Sequence, residues 1–483
     1  MDNHDLNCVS NSDPDLMKIF RPFALKMEEQ SLPPIVINLF KCYFSQLVFG
    51  SQGKLTRKEI LPVTENELEN LDNLEKTSAY REAAQEAISE LVIIKLNGGL
   101  GTTMGMETAK SLITVRQDSS FLDLILDQIR VLREKYRIAI PLLFMNSFRT
   151  HLDTMLHIDV ENPYHLPLAF LQHKYPKILT EEMEPARWPD NPDLEWNPPG
   201  HGDIYTALIT SGILKNLLDK GYKYAFISNS DNLGATMNQS ILGYLKSQEF
   251  TFLMEVTPRT VSDRKGGHLC RLLKNNRLAL REIAQCPEND LEEFMNIDKY
   301  SFFNTNSIWL NLEALEKVFL RHKMIPLDLI INTKNLDPRN PESPLVYQLE
   351  TAMGSAISAF DHAGALIVPR DRFAPVKTTS DLLTVMSDCF SISKMKTIIP
   401  DPRRSLPMPD VHLDEKYYKK VDDFEQRFPN GVPSLLECEY LQVKGDLLFG
   451  KDVRIKGRVR LVNDSGKQVR IEDGSVLEGD VSF

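Results

Sequence analysis

The sequence predicts an α/β fold: a mostly parallel sheet with helices on both faces, followed by a C-terminal β-helix. Three observations support this prediction. Strand-like and helical patterns alternate from about residue 90, a glycine-dense turn follows the first strand-like run, and aliphatic residues recur every six positions near the C-terminus. Such alternation is typical of a parallel sheet whose ligands bind at the carboxyl ends of the strands.

The segment that precedes this alternation is predicted to be helical. Apolar residues recur at helical spacing in residues 20–27, in residues 35–47 and in the acidic run 65–75. We therefore expect residues 1–88 to form an N-terminal helical segment, a solvated cover of the domain that follows.

Residues 89–398 are predicted to form the α/β domain. Its predicted strands are residues 91–97, 138–146, 166–172, 224–228, 251–256 and 363–368. Helical patterns between these strands include Leu122, Ile125, Ile129 and Leu132, and further along Ile204, Leu208, Ile213 and Leu217. Residues 272–280 instead predict a β-hairpin, with Asn275 and Asn276 in its turn.

The C-terminal region, residues 399–483, has a different period. The residues that recur every six positions are Val443, Phe449, Ile455 and Leu461 and, after a polar interruption, Ile471, Leu477 and Phe483. A six-residue period of inward aliphatic side chains is typical of a β-helix, although ordinary antiparallel strands can produce so few repeats.

Length, charge and cysteine spacing limit the class of protein. A chain of 483 residues with 42% hydrophobic and 25% charged residues predicts a globular protein of two or three domains. The net charge of -11 argues against a nucleic-acid partner. Dispersed cysteines without CxxC pairing predict neither a disulfide framework nor a zinc site. The acidic N-terminus and the lack of a long apolar stretch lead us to expect a cytoplasmic protein without a membrane partner.

Residues 95–110 contain the first candidate for a ligand site. They read KLNGGLGTTMGMETAK and follow an apolar run, so glycines there would let backbone N–H groups approach a phosphate. The segment lacks the Gly-Lys-Ser/Thr end of a P-loop. The spacing of Gly99, Gly101 and Gly105 is also one residue too long for a dinucleotide fingerprint. A structural loop and a phosphate cradle closed by Lys110 are both compatible with these residues alone.

The wider sequence resembles the UTP–glucose-1-phosphate uridylyltransferase family, the UDP-glucose pyrophosphorylases. The resemblance extends from about residue 90 to the C-terminus. The similar blocks are LNGGLGTTMG at 96–105, MNSF at 145–148, Gln172 with Pro176 four residues later, PPGHGDIY at 198–205, FISNSDNLGAT at 226–236, KGG at 265–267, FNTN at 303–306, QLETA at 348–352 and VPRDRFAPVKTTSDL at 368–382.

The resemblance implies both a fold and a reaction. The fold would be a Rossmann-like, mixed but mostly parallel nucleotidyltransferase core of the glycosyltransferase-A-like type, followed by a left-handed β-helix at residues 399–483. In the implied reaction, glucose 1-phosphate attacks the α-phosphorus of UTP in line, assisted by Mg²⁺, and gives UDP-glucose and pyrophosphate. The resemblance also implies two oligomeric states: in animal and fungal relatives the β-helix region assembles the oligomer, whereas other relatives are monomeric. We expect a homo-oligomer.

Roles for individual residues follow from the resemblance too. Lys110 and Lys377 would be catalytic, and Asp231 would hold Mg²⁺, although residues 228–232 by themselves are also typical of a turn. The nucleotide-binding residues would be Leu96, Asn97, Gly98, Gly99, Lys110, Gln172, Gly200, Asp231 and Lys377. The sugar-phosphate-binding residues would be His201, Asn229, Ser230, Asn304 and Glu350.

The chain departs from the family pattern in the glycine-rich segment. Family members often carry Lys-Gly-Pro-Lys where residues 107–110 read Glu-Thr-Ala-Lys. Loss of the proline leaves φ less fixed before Lys110, and Glu107 reverses a charge near the phosphates. We expect Glu107 to point away from the nucleotide. Ser230 and Arg149 also replace the residues expected from the family.

Two other functions are compatible with much of this pattern. A pyrophosphorylase for another sugar, such as a UDP-sugar or UDP-N-acetylhexosamine enzyme, is the nearer one. Those enzymes typically carry Arg-Leu where this chain has Thr103 and Met104. A non-enzymatic nucleotide-binding scaffold is the other, and the presence of Lys110, Asp231 and Lys377 argues against it.

Overall fold

A central mixed sheet organises the structure, a computed structural model that describes residues 13–50, 53–106, 108–116 and 118–483. The elements before the main domain are α1 (Pro14–Glu29), α2 (Pro34–Val48), β1 (Ile60–Pro62), β2 (Glu69–Asn70), α3 (Leu71–Lys76) and α4 (Ser78–Ala87).

The first half of the main domain comprises β3 (Leu91–Asn97), β4 (Thr114–Arg116), β5 (Ser119–Ser120), α5 (Phe121–Tyr136), β6 (Leu142–Asn146), α6 (His151–His157), β7 (Ala169–Leu171), β8 (Tyr175–Pro176), β9 (Ile178–Leu179), β10 (Trp196–Asn197), α7 (Ile204–Thr210), α8 (Ile213–Asp219) and β11 (Tyr224–Asn229). The second half comprises α9 (Gln239–Ser247), β12 (Phe252–Pro258), β13 (His268–Leu272), β14 (Leu278–Arg281), α10 (Leu291–Phe294), β15 (Phe302–Asn311), α11 (Leu312–His322), β16 (Leu329–Asn335), β17 (Leu345–Thr351), β18 (Ala363–Ile367) and α12 (Thr379–Met386). The C-terminal elements are β19 (Phe390–Ile392), β20 (Ile398–Pro400), β21 (Asp410–Leu413), α13 (Glu415–Tyr418), α14 (Val421–Arg427), β22 (Ser434–Lys444), β23 (Leu447–Phe449), β24 (Arg454–Val462), β25 (Val469–Ile471) and β26 (Val476–Ser482).

The main path of the central sheet has the order β2-β18-β12-β15-β11-β3-β6-β7. Neighbours along this path are parallel except where β15 pairs with β11 and β12. This arrangement confirms the predicted mixed α/β class with a mostly parallel sheet. All six predicted strand runs contain a strand of this path, whereas the sequence did not predict β15.

Two apolar cores enclose this sheet because strand side chains alternate between its faces. In the wholly buried β3, Leu91 and Ile93 belong to one core, and Val92 and Ile94 belong to the other. The first core continues into the C-terminal region, where Leu435 and Leu461 also belong to it.

The N-terminal helical prediction is confirmed at α1, at α2 and at α3, which covers residues 71–75, but it is wrong for residues 65–70. There a short 3-10 turn is followed by β2, which extends the sheet edge by pairing in parallel with β18. The helix α3 begins only at Leu71, because the Asn70 side chain caps it by accepting a hydrogen bond from the Asn73 N–H at 2.9 Å.

The hairpin prediction is confirmed, and one cysteine departs from expectation. Strands β13 and β14 pair antiparallel, and Asn276 in their turn has a φ of 58°. Cys42 is disulfide-bonded, whereas the free and buried cysteines are Cys270, Cys286, Cys389 and Cys438.

Parallel ladders build the C-terminal region. The order is β21-β22-β24-β26 in one sheet and β23-β25 in another, and every pairing is parallel. Of the predicted six-residue series, the buried members are Val443, Phe449, Ile455, Leu461 and Ile471, while Phe483 is 38% exposed. Parallel pairing excludes the ordinary antiparallel strands that the period alone allowed.

Across the described ranges, no helix is long and apolar enough to cross a membrane.

Candidate functional site

The candidate site begins where β3 and β11 end side by side. These strands are parallel and place Leu96 opposite Asn229. The Ser230 N–H donates to the Leu96 carbonyl at 3.1 Å, and the Ser230 hydroxyl lies 3.1 Å from Oδ1 of Asn97. The glycine-rich loop after β3 and the loop after β11 therefore leave the sheet together, so the structure brings the predicted residues Leu96, Asn97, Asn229 and Ser230 close to one another.

The glycine-rich loop folds back so that Lys110 returns to its beginning. Gly101 and Gly105 have φ values of 63° and 73°, a left-handed conformation that a side chain would strain. The Lys110 N–H donates to the Gly99 carbonyl at 3.1 Å. Ala109 has a φ of -58°, close to the value that proline imposes, so this position has the φ of a proline without carrying one. The prediction for Glu107 lies outside the described residues.

Lys110 and Asp231 form an ion pair across the two loops. Nζ of Lys110 lies 2.6 Å from Oδ2 of Asp231, and the two side chains are 15% and 19% exposed. Oδ1 of Asp231 is buried and has no hydrogen-bond partner among the described residues. A buried carboxylate oxygen without a partner is costly, so this atom is available to a ligand. The pairing brings together two residues that the sequence predicted for one site.

Gln172 borders the start of the glycine-rich loop. A Cβ atom added to Gly98 would lie 2.1 Å from Nε2 of Gln172, so a larger residue there would displace the Gln172 side chain. The Gln172 N–H donates to the Asn146 carbonyl at 2.8 Å, and the neighbouring His173 N–H donates to Asp203 at 2.6 Å. Gln172 therefore presents an amide side chain from a fixed backbone against Gly98.

Gly200 and His201 form a second wall of the site. Gly200 has a φ of 80°, and a Cβ there would lie 2.5 Å from the Thr351 carbonyl oxygen and 3.2 Å from Cβ of Glu350. The Met353 N–H donates to Nδ1 of His201 at 3.1 Å. Because Nδ1 is an acceptor, a neutral His201 ring carries its proton on Nε2 and can donate it to a ligand.

The pKa of His201 is affected by the charges of two residues that the sequence predicted for the site, Lys377 and Asp231. Burial, and then the positive charge of Lys377, lower the pKa of His201 to about 4 against an opposing contribution from Asp231. The ring is therefore neutral near pH 7, and Lys377 and Asp231 both lie within its electrostatic reach. Lys377 is exposed, and its N–H donates to the Asp381 side chain at 2.9 Å, next to the capping box of α12.

The predicted sugar residues Asn304 and Glu350 lie on the far wall. The Asn304 side chain donates to Asn306 Oδ1 at 2.8 Å and accepts from the Asn306 N–H at 2.9 Å, so both ends of its amide bond within the protein. Asn304 also contacts Gly354, next to the Met353 that bonds His201, because a Cβ on Gly354 would lie 2.7 Å from Asn304 Nδ2. Burial raises the pKa of Glu350, and Lys334 and Asn332 oppose the shift.

One acidic residue of this region was missed by sequence reasoning. Burial raises the pKa of Glu282, and the positive charge of Lys377 opposes this shift, so Glu282 lies close enough to Lys377 to interact with it. Its carboxylate packs against Gly267, where a Cβ would lie 2.5 Å from Oε1. Glu282 follows a β-hairpin, and no local motif marks it; only the adjacent Lys265-Gly266-Gly267 block could have drawn attention to it.

The metal-binding potential of the site rests on Asp231. In the part of the chain that the structure describes, no group of three or more His, Cys, Asp and Glu side chains could hold a metal ion. A single carboxylate with a free oxygen is still a normal protein contribution to Mg²⁺ when substrate phosphates and waters complete the shell. The donor set therefore fits Mg²⁺ bound together with a nucleotide.

A mixed sheet with a glycine-rich loop, a lysine–aspartate pair and further cations at the strand ends defines a nucleotidyltransferase. A model of the UTP–glucose-1-phosphate uridylyltransferase family matches residues 37–456. The chain belongs to this family.

Individual relatives cover nearly the whole chain. It is 40% identical over 444 residues to the Solanum tuberosum UTP–glucose-1-phosphate uridylyltransferase, covering 91% of this chain and 90% of that protein. It is 41% identical over 400 residues to the second Dictyostelium discoideum enzyme of this name, covering 82% and 78% respectively.

Solved structures agree in fold. A Leishmania major UDP-glucose pyrophosphorylase mutant in complex with UDP-glucose matches with a TM-score of 0.88 and 40% identity, over 96% of this chain and 99% of that one. A Trypanosoma brucei UDP-glucose phosphorylase matches with a TM-score of 0.88 and 39% identity, over 96% and 100%.

Proposed function

We propose that the site transfers the uridylyl group of UTP to glucose 1-phosphate by in-line attack on the α-phosphorus, giving UDP-glucose and pyrophosphate. The observation that supports this best is the Lys110–Asp231 ion pair at 2.6 Å, which lies between a glycine-rich loop and a neutral histidine. These are a cation, a metal ligand and hydrogen-bond donors, the groups that a reaction between two anions requires.

The chemistry needs no general base. The second pKa of a phosphate monoester is about 6, so the attacking oxygen of glucose 1-phosphate is already ionised near neutral pH. The barrier lies in bringing two anions together, and catalysis is therefore positioning and charge neutralisation. Lys110 neutralises the phosphates of UTP, and Lys377 neutralises charge shared by the nucleotide and the sugar phosphate.

Mg²⁺ is the cofactor in this proposal, held by Asp231 through the partnerless Oδ1 atom. When bound, the metal supplies positive charge to the triphosphate. Lys110 contacts Asp231 in the free protein, so the arriving nucleotide gives Lys110 a new anionic partner. Asp231 is then free to face the metal.

The remaining side chains orient the substrates. Gln172 offers a donor and an acceptor to the uracil edge, and Gly98 and Gly200 let the backbone approach the uridine. His201 donates from Nε2 to the sugar phosphate, with Asn229 and Ser230 beside it. Asn304 and Glu350 face the sugar hydroxyls, and Glu282 joins them because Lys377 lies within its electrostatic reach.

The Lys377→Ala variant tests the mechanism. We expect kcat to fall by at least about a hundredfold, the cost typical of removing one group that stabilises transition-state charge. Lys394→Ala is the matched control, since Lys394 is an exposed lysine on the connection between β19 and β20. An unchanged kcat in Lys377→Ala would remove this residue from the mechanism.

Assembly and location complete the proposal. The parallel C-terminal ladders are coils of a left-handed β-helix, and their open end at β26 joins a second copy into a homo-oligomer. The exposed apolar residues Val476 and Phe483 on β26 and just beyond it support this contact. A cytoplasmic location is part of the proposal: the free thiols of Cys270, Cys286, Cys389 and Cys438 favour a reducing compartment, whereas the disulfide at Cys42 argues against one.

A further inference from the structure

The loop that carries Asp231 is tied to the segment that carries Lys377 by one buried side chain. Asn232 is 2% exposed. Its Nδ2 donates to the Arg372 carbonyl at 3.1 Å, and its Oδ1 accepts from the Ala374 N–H at 3.1 Å. Asn232 also forms an isolated antiparallel β-bridge with Pro375. Asp231 is the residue before Asn232, and Lys377 lies two residues after Pro375. The contacts of Asn232 with residues 372–375, which we call the clamp, therefore join the two segments close to both Asp231 and Lys377.

The two segments are also in van der Waals contact. A Cβ on Gly234 would lie 2.2 Å from the Asp371 carbonyl oxygen, which only glycine avoids. The two backbones therefore also meet beside the Asn232 hydrogen bonds, at Gly234 and Asp371 and at the bridge to Pro375, so a larger side chain on this face would push the two segments apart.

A buried ionic network fixes the clamp to the sheet. Arg372 donates to both carboxylate oxygens of Glu255 at 2.8 and 2.7 Å and to the Thr236 carbonyl at 2.8 Å. Lys95 donates to the Ala235 carbonyl at 2.9 Å and to the Ser228 hydroxyl at 2.8 Å. Since Glu255 and Lys95 belong to sheet strands, the far end of the Asp231 loop is immobilised.

We propose that Asn232 is a positioning residue that sets the separation between Asp231 and Lys377, so that the metal ligand and the second cation act on the same phosphates. This inference rests on the proposed function. A misplacement of about 1 Å can cost about a hundredfold in rate when catalysis depends on position. Lys110 and Gln172 lie on other segments, and among the described residues neither hydrogen-bonds to Asn232, so the contacts of these two residues with UTP do not depend on the clamp.

The test compares Asn232→Ala with Asn162→Ala. Asn162 makes bonds of the same kind at the opposite edge of the sheet: it accepts from the Leu142 N–H at 2.9 Å and donates to the carbonyls of Leu142 and Pro167 at 2.7 and 3.1 Å. Both variants should lower Tm. In Asn232→Ala we expect kcat to fall by at least about tenfold while KM and Kd for UTP change by less than about twofold. In Asn162→Ala kcat should stay within about twofold of the native value.

Asn232→Asp serves if the alanine variant folds poorly, because it keeps the acceptor for the Ala374 N–H and loses the donor to Arg372. Its kcat should lie between those of the native protein and the alanine variant. The number of UTP sites per chain, measured by calorimetry, corrects each kcat for misfolded material.

Three results would overturn the proposal: a native kcat in both Asn232 variants, an equal loss of kcat in Asn162→Ala, or a rise in KM for UTP without a loss of kcat. The absence of pyrophosphate release by the native chain would instead refute the proposed function, and it would be seen before any variant is compared.

Discussion

At the scale of single residues, the charges of the site are arranged so that they do not repel one another before any substrate binds. Lys110 neutralises Asp231, and the neutral ring of His201 adds no charge beside Lys377. A cluster of like charges would repel itself in the free protein, whereas this arrangement keeps each cation available for phosphate at little electrostatic cost. The pairing explains how an acidic protein with a net charge of -11 can bind two anionic substrates.

Asp231→Asn tests the metal assignment. The amide keeps the shape of the side chain but removes the charge, so the concentration of Mg²⁺ needed for half-maximal activity should rise by at least about tenfold. Asp361→Asn is the control, because Asp361 forms its ion pairs with Arg277 and Arg321 at the surface. An unaltered metal titration of Asp231→Asn would exclude Asp231 as a ligand.

Residues that lie in recognisable sequence motifs could be predicted as site residues. Residues whose roles depend on tertiary contacts were missed. Lys110, Asp231 and Gln172 lie in or beside recognisable blocks, and the structure brings Lys110 to Asp231 and Gln172 to Gly98; their roles stay predictions. Glu282 lies near Lys377, and Asn232 bonds with Arg372 and Ala374. All of these partners are on segments that are distant in the sequence. No local pattern can report a partner that lies 95 positions away, as Lys377 does from Glu282, or 140 positions away, as Arg372 does from Asn232.

At the scale of elements, two loops and a strand end meet because neighbouring parallel strands end at the same edge. The contact between Gly98 and Gln172 shows how closely they meet, since even one added carbon would lie 2.1 Å from the amide nitrogen. We infer that the glycine protects the orientation of Gln172 rather than the flexibility of the loop.

A double-mutant cycle tests this inference. Gly98→Ala should displace Gln172 and raise KM for UTP by about tenfold, the equivalent of one lost hydrogen bond to the base. In a Gln172→Ala background the same substitution should have little further effect, because the side chain that it displaces is gone. Equal effects of Gly98→Ala in both backgrounds would show that the glycine acts independently of Gln172.

Helices and strands were predicted correctly where the sequence pattern that marks them is local. They were missed where a strand forms by pairing with a segment that is distant in the sequence. The strands of residues 91–97 and 224–228 are continuous apolar runs, as expected for strands buried on both faces. The antiparallel β15 contains polar residues of the site, including Asn304 and Asn306, so its alternation is interrupted. Residues 65–75 have helical spacing, yet Glu69 and Asn70 form an edge strand of the sheet by pairing with β18.

At the scale of the whole molecule, the catalytic and C-terminal regions share one apolar core. The C-terminal region also reaches the site, because the stem of Lys420 packs against Gly105 of the glycine-rich loop, where a Cβ would lie 2.9 Å from Cγ. The glycine-rich loop and the C-terminal region are therefore in direct contact at Gly105 and Lys420.

The Val476→Asp substitution tests the proposed assembly. Val476 is 52% exposed at the start of the edge strand β26, and a charge there should prevent a second copy from docking. Leu345→Asp is the control at a residue of similar exposure, 51%, on another strand. Light scattering should give a lower mass for Val476→Asp only; the native mass in both variants, or a monomeric native protein, would contradict the assembly.

The central claim concerns the reaction itself, and pyrophosphate release measures it most directly. The native chain is assayed with UTP, Mg²⁺ and a panel of sugar 1-phosphates that includes glucose 1-phosphate, galactose 1-phosphate and N-acetylglucosamine 1-phosphate. We expect pyrophosphate and UDP-glucose in equal amounts with glucose 1-phosphate, and much slower release with the other sugars. No turnover with glucose 1-phosphate, or faster turnover with an N-acetylhexosamine 1-phosphate, would contradict this account.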